Sequence, residues 1–154
     1  MIKAITYIVA TYNSARTINR CLESFRELSD DRITVIVIDG CSSDDTIEIV
    51  QQYSDVVSAF VTEPDSGIYD AFNKGLALAS TPWVGFVGSD DFLTPDSRGL
   101  FDYVIGKEDA CDFATGSVML FDAGGKSIKP VGELWTWERC RKRMLVAHVG
   151  ALFN

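Results

Sequence analysis

Short apolar runs and amphipathic stretches alternate along the first hundred residues of the chain. Runs rich in β-branched and aromatic residues, each followed by turn residues, predict strands over Ala4–Ala10, Ile33–Ile38, Val56–Thr62 and Trp83–Val87. Apolar positions at helical spacing predict helices over Arg16–Arg26, Asp45–Tyr53, Tyr69–Ala79 and Asp96–Ile105. This alternation predicts an α/β fold with a mostly parallel central sheet flanked by helices.

After residue 110 the pattern changes to short β-rich runs around a glycine-containing turn. The predicted strands are Phe113–Met119, Leu120–Phe121 and Ser127–Val131, with a hairpin turn over 122–126. A helix is expected over Glu133–Arg143, and Val146–Phe153 is apolar again. Because Asn154 follows a strand-like run directly, we expect a single domain over residues 1–154 that is truncated at its C-terminal end.

Length, composition and charge narrow the class of protein. With 154 residues, of which 47% are hydrophobic, the chain can bury one globular core. It has no apolar run near the ~20 residues of a membrane span and no secretion signal at its start, so we expect cytoplasmic residence. Four scattered cysteines and one histidine do not form a zinc pattern. The net charge of −8 argues against nucleic acid as a partner.

Polar side chains follow each of the four predicted strands. These segments are Thr11–Asn13, Asp39–Asp44, Glu63–Gly67 and Ser89–Asp91. Because the carboxyl ends of parallel strands meet at one edge of a sheet, where ligands of such sheets bind, the four segments together predict a polar pocket. Each segment taken alone is equally typical of a turn or a helix cap.

Asp90 and Asp91 are adjacent carboxylates at the end of an apolar run. They repel each other, so a nearby cation would stabilise the pair. Mn²⁺ and Mg²⁺ are commonly held by one or two carboxylates together with the phosphates of a substrate. The chain lacks both the G-x-G-x-x-G and the P-loop motifs, so a metal on Asp91 and Asp90, assisted by Lys74, would supply the positive charge that a phosphate group needs. A turn that caps the following helix is the alternative interpretation.

Four motifs together resemble the family 2 glycosyltransferases. They are Val9–Asn13, Val37–Thr46, Asp65–Gly75 and Gly88–Asp91, in the order found in that family. The resemblance implies the GT-A fold and an inverting transfer of sugar from a UDP- or GDP-sugar to a glycan or lipid-linked acceptor in bacterial polysaccharide synthesis. A non-catalytic nucleotide-sugar-binding module and a nucleotidyltransferase are the alternatives.

The resemblance also implies roles on the nucleoside side of the donor. Ala10, Thr11 and Tyr12 would line the base pocket. Asp39 would accept a hydrogen bond from the ring N–H of the base, and Asp90 would bind the ribose.

On the diphosphate side, the resemblance implies that Asp91 is the metal ligand, with Asp90 beside it. Asp70 and Lys74 would flank the diphosphate or the sugar. Gly88 stands where the fuller form of the motif carries another acid, so either carboxylate of the pair could touch the metal directly.

Family 2 resemblance further implies a general base, an Asp or Glu that deprotonates the acceptor hydroxyl. In relatives this base lies well downstream of the metal motif, so we expect it beyond Asn154. Residues 1–154 alone are then expected to bind the donor and to transfer sugar poorly or not at all. His148, the sole histidine, is a further candidate near the metal, with a structural role as its alternative.

Charge is distributed unevenly along the chain. Residues 1–119 carry 8 Lys/Arg against 19 Asp/Glu, whereas residues 120–154 carry 6 against 3. The basic run 139–143 follows Trp135 and Trp137, and aromatic and cationic side chains together suit a lipid headgroup. Peripheral contact with the cytoplasmic membrane face is one interpretation, and a solvated basic helix face is the other.

Overall fold

The computed structural model describes residues 3–122, 124–132, 136–142 and 147–154, without the side chains of Cys140 and His148. The strands are β1 Ile5–Thr11, β2 Ile33–Asp39, β3 Val57–Thr62, β4 Trp83–Gly88, β5 Phe113–Thr115, β6 Val118–Phe121, β7 Ser127–Val131 and β8 Ala151–Phe153. The helices are α1 Ile18–Leu28, α2 Thr46–Gln51, α3 Ile68–Leu78, α4 Ser97–Val104 and α5 Trp137–Cys140, and a 3₁₀ turn covers His148–Gly150.

The central sheet has the strand order β3-β2-β1-β4-β8-β5. Its first four strands are parallel, and β8 runs antiparallel to both of its neighbours. The mostly parallel sheet predicted from the sequence is therefore confirmed. The strand order reverses between β1 and β4, and parallel α/β sheets bind ligands at such a point.

Side chains alternate between the two faces of the sheet, and different helices cover each face. On one face, Tyr7 of β1 packs against Phe25 of α1 and Phe101 of α4, at ring-centroid distances of 5.4 and 6.0 Å. On the other face, Phe72 of α3 packs against Phe86 of β4 at 4.8 Å. Period-two alternation in β1 thus supplies apolar side chains to both layers of helices.

The predicted strand Phe113–Met119 is wrong as a single element, because the chain changes sheets at Gly116 and Ser117. The Gly116 N–H donates to the Gly150 carbonyl at 2.8 Å and closes β5 against the 3₁₀ turn. β5 then pairs with β8, whereas the next strand pairs with β7 in a separate hairpin. An apolar run shows that a strand forms but carries no information about which strand it pairs with.

Each predicted helix differs from the observed one by one or more residues at its ends, as the first and the last of them show. α1 begins at Ile18 instead of Arg16, because a turn precedes it in which the N–H groups of Thr17 and Ile18 both donate to the Ser14 carbonyl, at 2.9 and 3.0 Å. Of the helix predicted over 133–143, the structure describes one turn, Trp137–Cys140, and residues 133–135 and 143 lie outside the described residues.

α3 lies unusually close to β1 because of Gly75. A Cβ atom at this position would stand 2.3 Å from Cγ2 of Ile8, well inside contact distance. Gly99 of α4 provides a contrast, since a Cβ atom there meets no other atom within 4 Å.

We predict that Gly75→Ala lowers the free energy of unfolding by about 1–3 kcal/mol, because the added methyl group overpacks the contact with Ile8. Gly99→Ala is the matched control and should raise it by up to ~1 kcal/mol, because alanine favours the helix and the site is open. Urea unfolding of both variants measures the difference. Equal stabilisation by both substitutions would contradict the close packing of α3.

Candidate functional site

The loops that follow β1 and β2 are joined by hydrogen bonds from polar side chains. Asn13 adopts the left-handed conformation, with φ 48°, and its N–H donates to Oγ of Ser42 at 2.8 Å. Its Oδ1 accepts from the Ser43 N–H at 2.8 Å, and Oδ2 of Asp44 accepts from the Ala15 N–H at 3.1 Å. These bonds hold the two loops as one rim above the carboxyl ends of the strands.

Asp39 is a fully buried carboxylate at the end of β2. Its Oδ2 accepts from the Ser42 N–H at 2.9 Å and from the Thr62 hydroxyl at 2.7 Å, and its Oδ1 accepts from the Ser42 hydroxyl. A carboxylate offers about four acceptor sites. Three of these are used to hold the rim, so about one remains for a donor on a ligand.

The three residues predicted to line the base pocket differ in exposure. Ala10 and Thr11 are buried, whereas Tyr12 is 63% exposed. The buried Oγ1 of Thr11 has no hydrogen-bond partner among the described residues. An unpaired buried hydroxyl is costly, which marks this strand end as a position where a ligand would be stabilised.

The β4 end presents Asp90 and Asp91 from a tight turn. The Asp91 N–H donates to the Gly88 carbonyl at 3.0 Å, and the Ser89 hydroxyl donates to Oγ of Ser14 at 2.7 Å, which ties the turn to the loop after β1. Asp90 is exposed and Asp91 is half-buried. The turn therefore lies at the reversal point of the sheet, beside the rim formed by β1 and β2.

Both carboxylates of the pair face the same small space beside Gly88. A Cβ atom on this glycine would lie 2.8 Å from Oδ1 of Asp90 and 3.1 Å from Oδ2 of Asp91. Any side chain at position 88 would occupy the space on which the two carboxylates converge. Glycine at this position leaves that space open.

Two convergent carboxylates fit a Mn²⁺ or Mg²⁺ ion whose other ligands are water and substrate phosphates. The described residues contain no cluster of three or more His, Cys, Asp or Glu side chains that could enclose a metal. A cation held by Asp90 and Asp91 would therefore keep most of its coordination sites for a ligand.

Cys21 of α1 lies beside the turn that carries Asp90 and Asp91, and its sequence context does not single it out. Its thiol is buried and contacts the Gly88 carbonyl, with an S–O distance of 3.8 Å. Burial, together with the charges of Asp91 and Asp90, raises the pKa of this thiol to about 12. The contact with the Gly88 carbonyl joins α1 to the turn that carries the carboxylate pair.

Asp70 and Lys74 lie on α3 and bond to the loop that follows β3. Asp70 accepts from the N–H and hydroxyl of Ser66 at 3.0 and 3.2 Å, and the bond from the N–H lowers the pKa of Asp70 against the effect of burial. Nζ of Lys74 donates to the Pro64 carbonyl at 2.6 Å and lies 3.1 Å from Oε1 of Glu63. Burial alone would lower the pKa of Lys74, but its carboxylate partners raise it overall. The charge of Lys74 is therefore largely balanced within this loop.

The same loop touches the end of β2 through Asp65 and Gly40. A Cβ atom at Gly40 would stand 2.7 Å from Oδ2 of Asp65, so the glycine gives this carboxylate its place. Oδ1 of Asp65 accepts from the Gly67 N–H at 2.9 Å. The structure thus joins the segment 65–67 to the rim that carries Asp39.

A cavity of about 1140 Å³ opens beside Asp90 and Asp91 on the side of the β6–β7 hairpin. One of its walls is a stack in which the Arg20 guanidinium lies 3.7 Å from the ring centroid of Phe92, and Phe92 lies 5.3 Å from Phe121 of β6. The stack connects α1, the turn that carries the carboxylates and the hairpin. Sequence reasoning missed Arg20, whose position beside two distant phenylalanines no local pattern reveals.

His148 belongs to the 3₁₀ turn His148–Gly150, and its side chain lies outside the described residues. Its predicted role near the metal therefore stays a prediction.

Comparison with known proteins identifies relatives of this chain. The family model for glycosyl transferase family 2 matches residues 6–147. The putative glycosyltransferase EpsH of Bacillus subtilis is 32% identical over 95 residues, which cover 60% of this chain and 28% of EpsH. The succinoglycan biosynthesis protein ExoO of Rhizobium meliloti is 36% identical over 93 residues, which cover 60% of this chain and 27% of ExoO.

A solved structure has a similar fold. The crystal structure of TarS from S. aureus in complex with UDP-GlcNAc matches 71% of this chain and 33% of TarS, with a TM-score of 0.64 and 28% identity. This chain spans less than a third of the length of EpsH and of ExoO. The family model covers nearly all of the chain, and the sheet and helices are those of the GT-A fold that the family resemblance implies. The chain belongs to glycosyl transferase family 2.

Proposed function

We propose that this chain binds a UDP- or GDP-sugar and that the protein transfers the sugar, with inversion, to a glycan or lipid-linked acceptor in cell-surface polysaccharide synthesis. The observation that carries the proposal is the convergence of Asp90 and Asp91 beside Gly88 at the reversal point of the sheet. Two similarities support it: ExoO is named as a succinoglycan biosynthesis protein, and the TarS structure holds UDP-GlcNAc.

In this proposal Asp91 and Asp90 hold a Mn²⁺ or Mg²⁺ ion, and Asp90 also binds the ribose. When bound, the ion neutralises charge on the diphosphate and so stabilises the leaving group. The protein keeps the two carboxylates in place by the Asp91–Gly88 hydrogen bond and by the Ser89–Ser14 hydrogen bond. Placement by a short turn on a buried strand limits the reorganisation that ligand binding requires.

The base pocket in this proposal is formed by Ala10, Thr11, Tyr12 and Asp39. The free acceptor site of Asp39 takes the ring N–H of uracil or guanine, and the exposed ring of Tyr12 is available to cover the base. Cytosine and adenine have no ring N–H on their pairing edge. They would place a ring nitrogen lone pair against a buried carboxylate, which is unfavourable.

Asp70 and Lys74 flank the diphosphate or the sugar in this proposal. Lys74 is held by Glu63 and the Pro64 carbonyl, so it would act within a preformed charge network and not as a free cation. Transfer further requires a base for the acceptor hydroxyl, and we propose this step for the whole protein. For residues 1–154 alone, the proposal is limited to binding of the donor.

Metal-dependent binding separates this proposal from a nucleotide-binding module that works without a metal. We expect UDP or GDP to bind at least roughly tenfold more tightly with Mn²⁺ than without, and Asp91→Asn to abolish that gain, because the variant lacks one of the two convergent charges. Isothermal titration calorimetry measures both effects. Asp31→Asn, at the opposite end of the sheet, is the matched control and should bind as the unmodified chain does. Binding that is indifferent to metal and survives Asp91→Asn would refute the metal site.

Discrimination among bases tests the role of Asp39. UDP or GDP should bind roughly tenfold or more tightly than CDP or ADP, and Asp39→Asn should remove most of this difference, because an amide replaces one acceptor oxygen by a donor. Competition titrations with the four nucleotides give the ratio. Thr62→Val removes one of the bonds that hold Asp39 and serves as the control for stability. If Asp39→Asn only lowers the melting temperature and leaves the ratio unchanged, Asp39 has a purely structural role.

Contact with the membrane face is a separate part of the proposal. Trp137 is 65% exposed, and Arg141 and Lys142 are exposed beside it, in the part of the chain where basic residues outnumber acidic ones. No helix within the described residues is both long and apolar enough to span a bilayer, so such contact would be peripheral. Basic residues near an anionic surface contribute ~1 kcal/mol each.

Vesicle flotation tests this contact. The chain should float with phosphatidylglycerol vesicles and not with phosphatidylcholine vesicles, and Arg141→Ser with Lys142→Ser should cut the bound fraction severalfold, because two cations are lost. The matched control replaces two exposed basic residues elsewhere, Arg16→Ser with Lys107→Ser. Absence of binding to anionic vesicles, or equal loss in both double variants, would favour the solvated basic face.

A further inference from the structure

The cavity that contains the carboxylate pair is the place where an acceptor must enter. If the donor diphosphate lies against Asp90 and Asp91, as in the proposed function on which this inference rests, the acceptor hydroxyl has to approach the sugar from beside the same pair. The cavity has both carboxylates in its wall and a volume of about 1140 Å³. Pockets for small molecules usually have ~300–1,000 Å³, so this one has room for more than a single small ligand.

Much of the cavity wall away from the carboxylates is apolar. Leu93 and Leu100 contribute to it from the segment after β4, and Met119 and Leu120 contribute from β6. Met119 is 42% exposed and lies on the same face of β6 as Phe121, because alternate residues of a strand share a face, so its apolar surface is open to a ligand on the cavity side. Large apolar side chains exposed at the wall of a pocket favour an apolar ligand, because its binding removes their surface from water.

The charges in the wall argue against an anionic acceptor. Arg20 is the single cationic residue among the described residues that line the cavity, and the same lining includes four carboxylates, those of Asp90, Asp91, Asp96 and Asp122. A divalent cation on the pair would offset two of these charges without leaving an excess of positive charge. A phosphate or uronate group on the acceptor would therefore gain little in this cavity.

The apolar wall is held beside the reaction centre by the stack of Arg20, Phe92 and Phe121. Phe92 directly follows the carboxylate pair, and Phe121 lies on the same face of β6 as Met119. The stack at 3.7 and 5.3 Å therefore fixes the apolar part of β6 close to the carboxylates. Apolar surface at this position contacts the acceptor near its reacting hydroxyl and not at a distant end.

We infer that the acceptor is a neutral molecule with an alkyl or aryl group attached directly to the accepting sugar or hydroxyl, and that Met119 contacts this group. A long hydrophilic glycan alone would leave this side chain without a partner of its own chemistry. Met119 is thereby assigned as a residue that determines acceptor specificity.

The inference is tested with two neutral probes that differ in their aglycone, octyl β-D-glucopyranoside below its micelle concentration and methyl β-D-glucopyranoside. Titrations followed by NMR, with the diamagnetic ion Mg²⁺ and UDP or GDP present, give both affinities. The octyl glucoside should bind at least roughly tenfold more tightly, because each buried methylene strengthens binding severalfold. The variant Met119→Gln should reduce this preference to less than roughly threefold.

Ile128→Gln is the matched control, because Ile128 is 60% exposed on the same hairpin and does not line the cavity. This variant should keep the full preference for the octyl glucoside, and a melting curve verifies that each variant is folded. Equal affinities for the two glucosides, or an equal loss in Ile128→Gln, would overturn the inference while metal-dependent nucleotide binding in the same samples leaves the proposed function intact. Absence of metal-dependent nucleotide binding would instead reject the proposed function and this inference with it.

Discussion

The parallel pairing of β1 with β2 on one side and β4 on the other is the constraint on which the site depends. The pairing is in register to its end, where Thr11 stands opposite Asp39 and Ala10 stands opposite Gly88. Three strand ends that are far apart in sequence are thus brought to one level by backbone hydrogen bonds, whose positions in a buried sheet are strongly specified. The polar loops that follow these strands then have only short distances to span.

The site also depends on glycines, whose missing side chains have opposite effects at two positions. At Gly75 the absence of a side chain lets α3 approach Ile8, so the space is filled by the core. At Gly88 the absence of a side chain leaves room on which Asp90 and Asp91 converge, so the space serves the candidate site. The first glycine stabilises the fold. The second leaves room for two carboxylates that repel each other, and a bound cation would reduce that repulsion.

The sequence predicts the first hundred residues well, because each strand there is a buried β-rich run and each helix has an apolar stripe. It also predicts that Asp39, Asp90 and Asp91 meet at one edge, since this follows from parallel strands alone. It does not predict the break at Gly116, because pairing partners are set by tertiary contacts. Nor does it reveal that Asp39 and Lys74 already have partners: their bonds to Thr62 and Glu63 depend on three-dimensional neighbours, and no local pattern encodes them.

The contact between Gly40 and Asp65 has a consequence for substitutions at these two positions. Because Oδ2 of Asp65 occupies the space of a side chain at position 40, a residue larger than glycine there requires the Asp65 carboxylate to move aside or to be absent. A small residue at 65, in contrast, leaves glycine at 40 undisturbed. The two positions are therefore coupled in one direction: a side chain gained at 40 changes where residue 65 can lie, whereas loss of the carboxylate at 65 requires no change at 40.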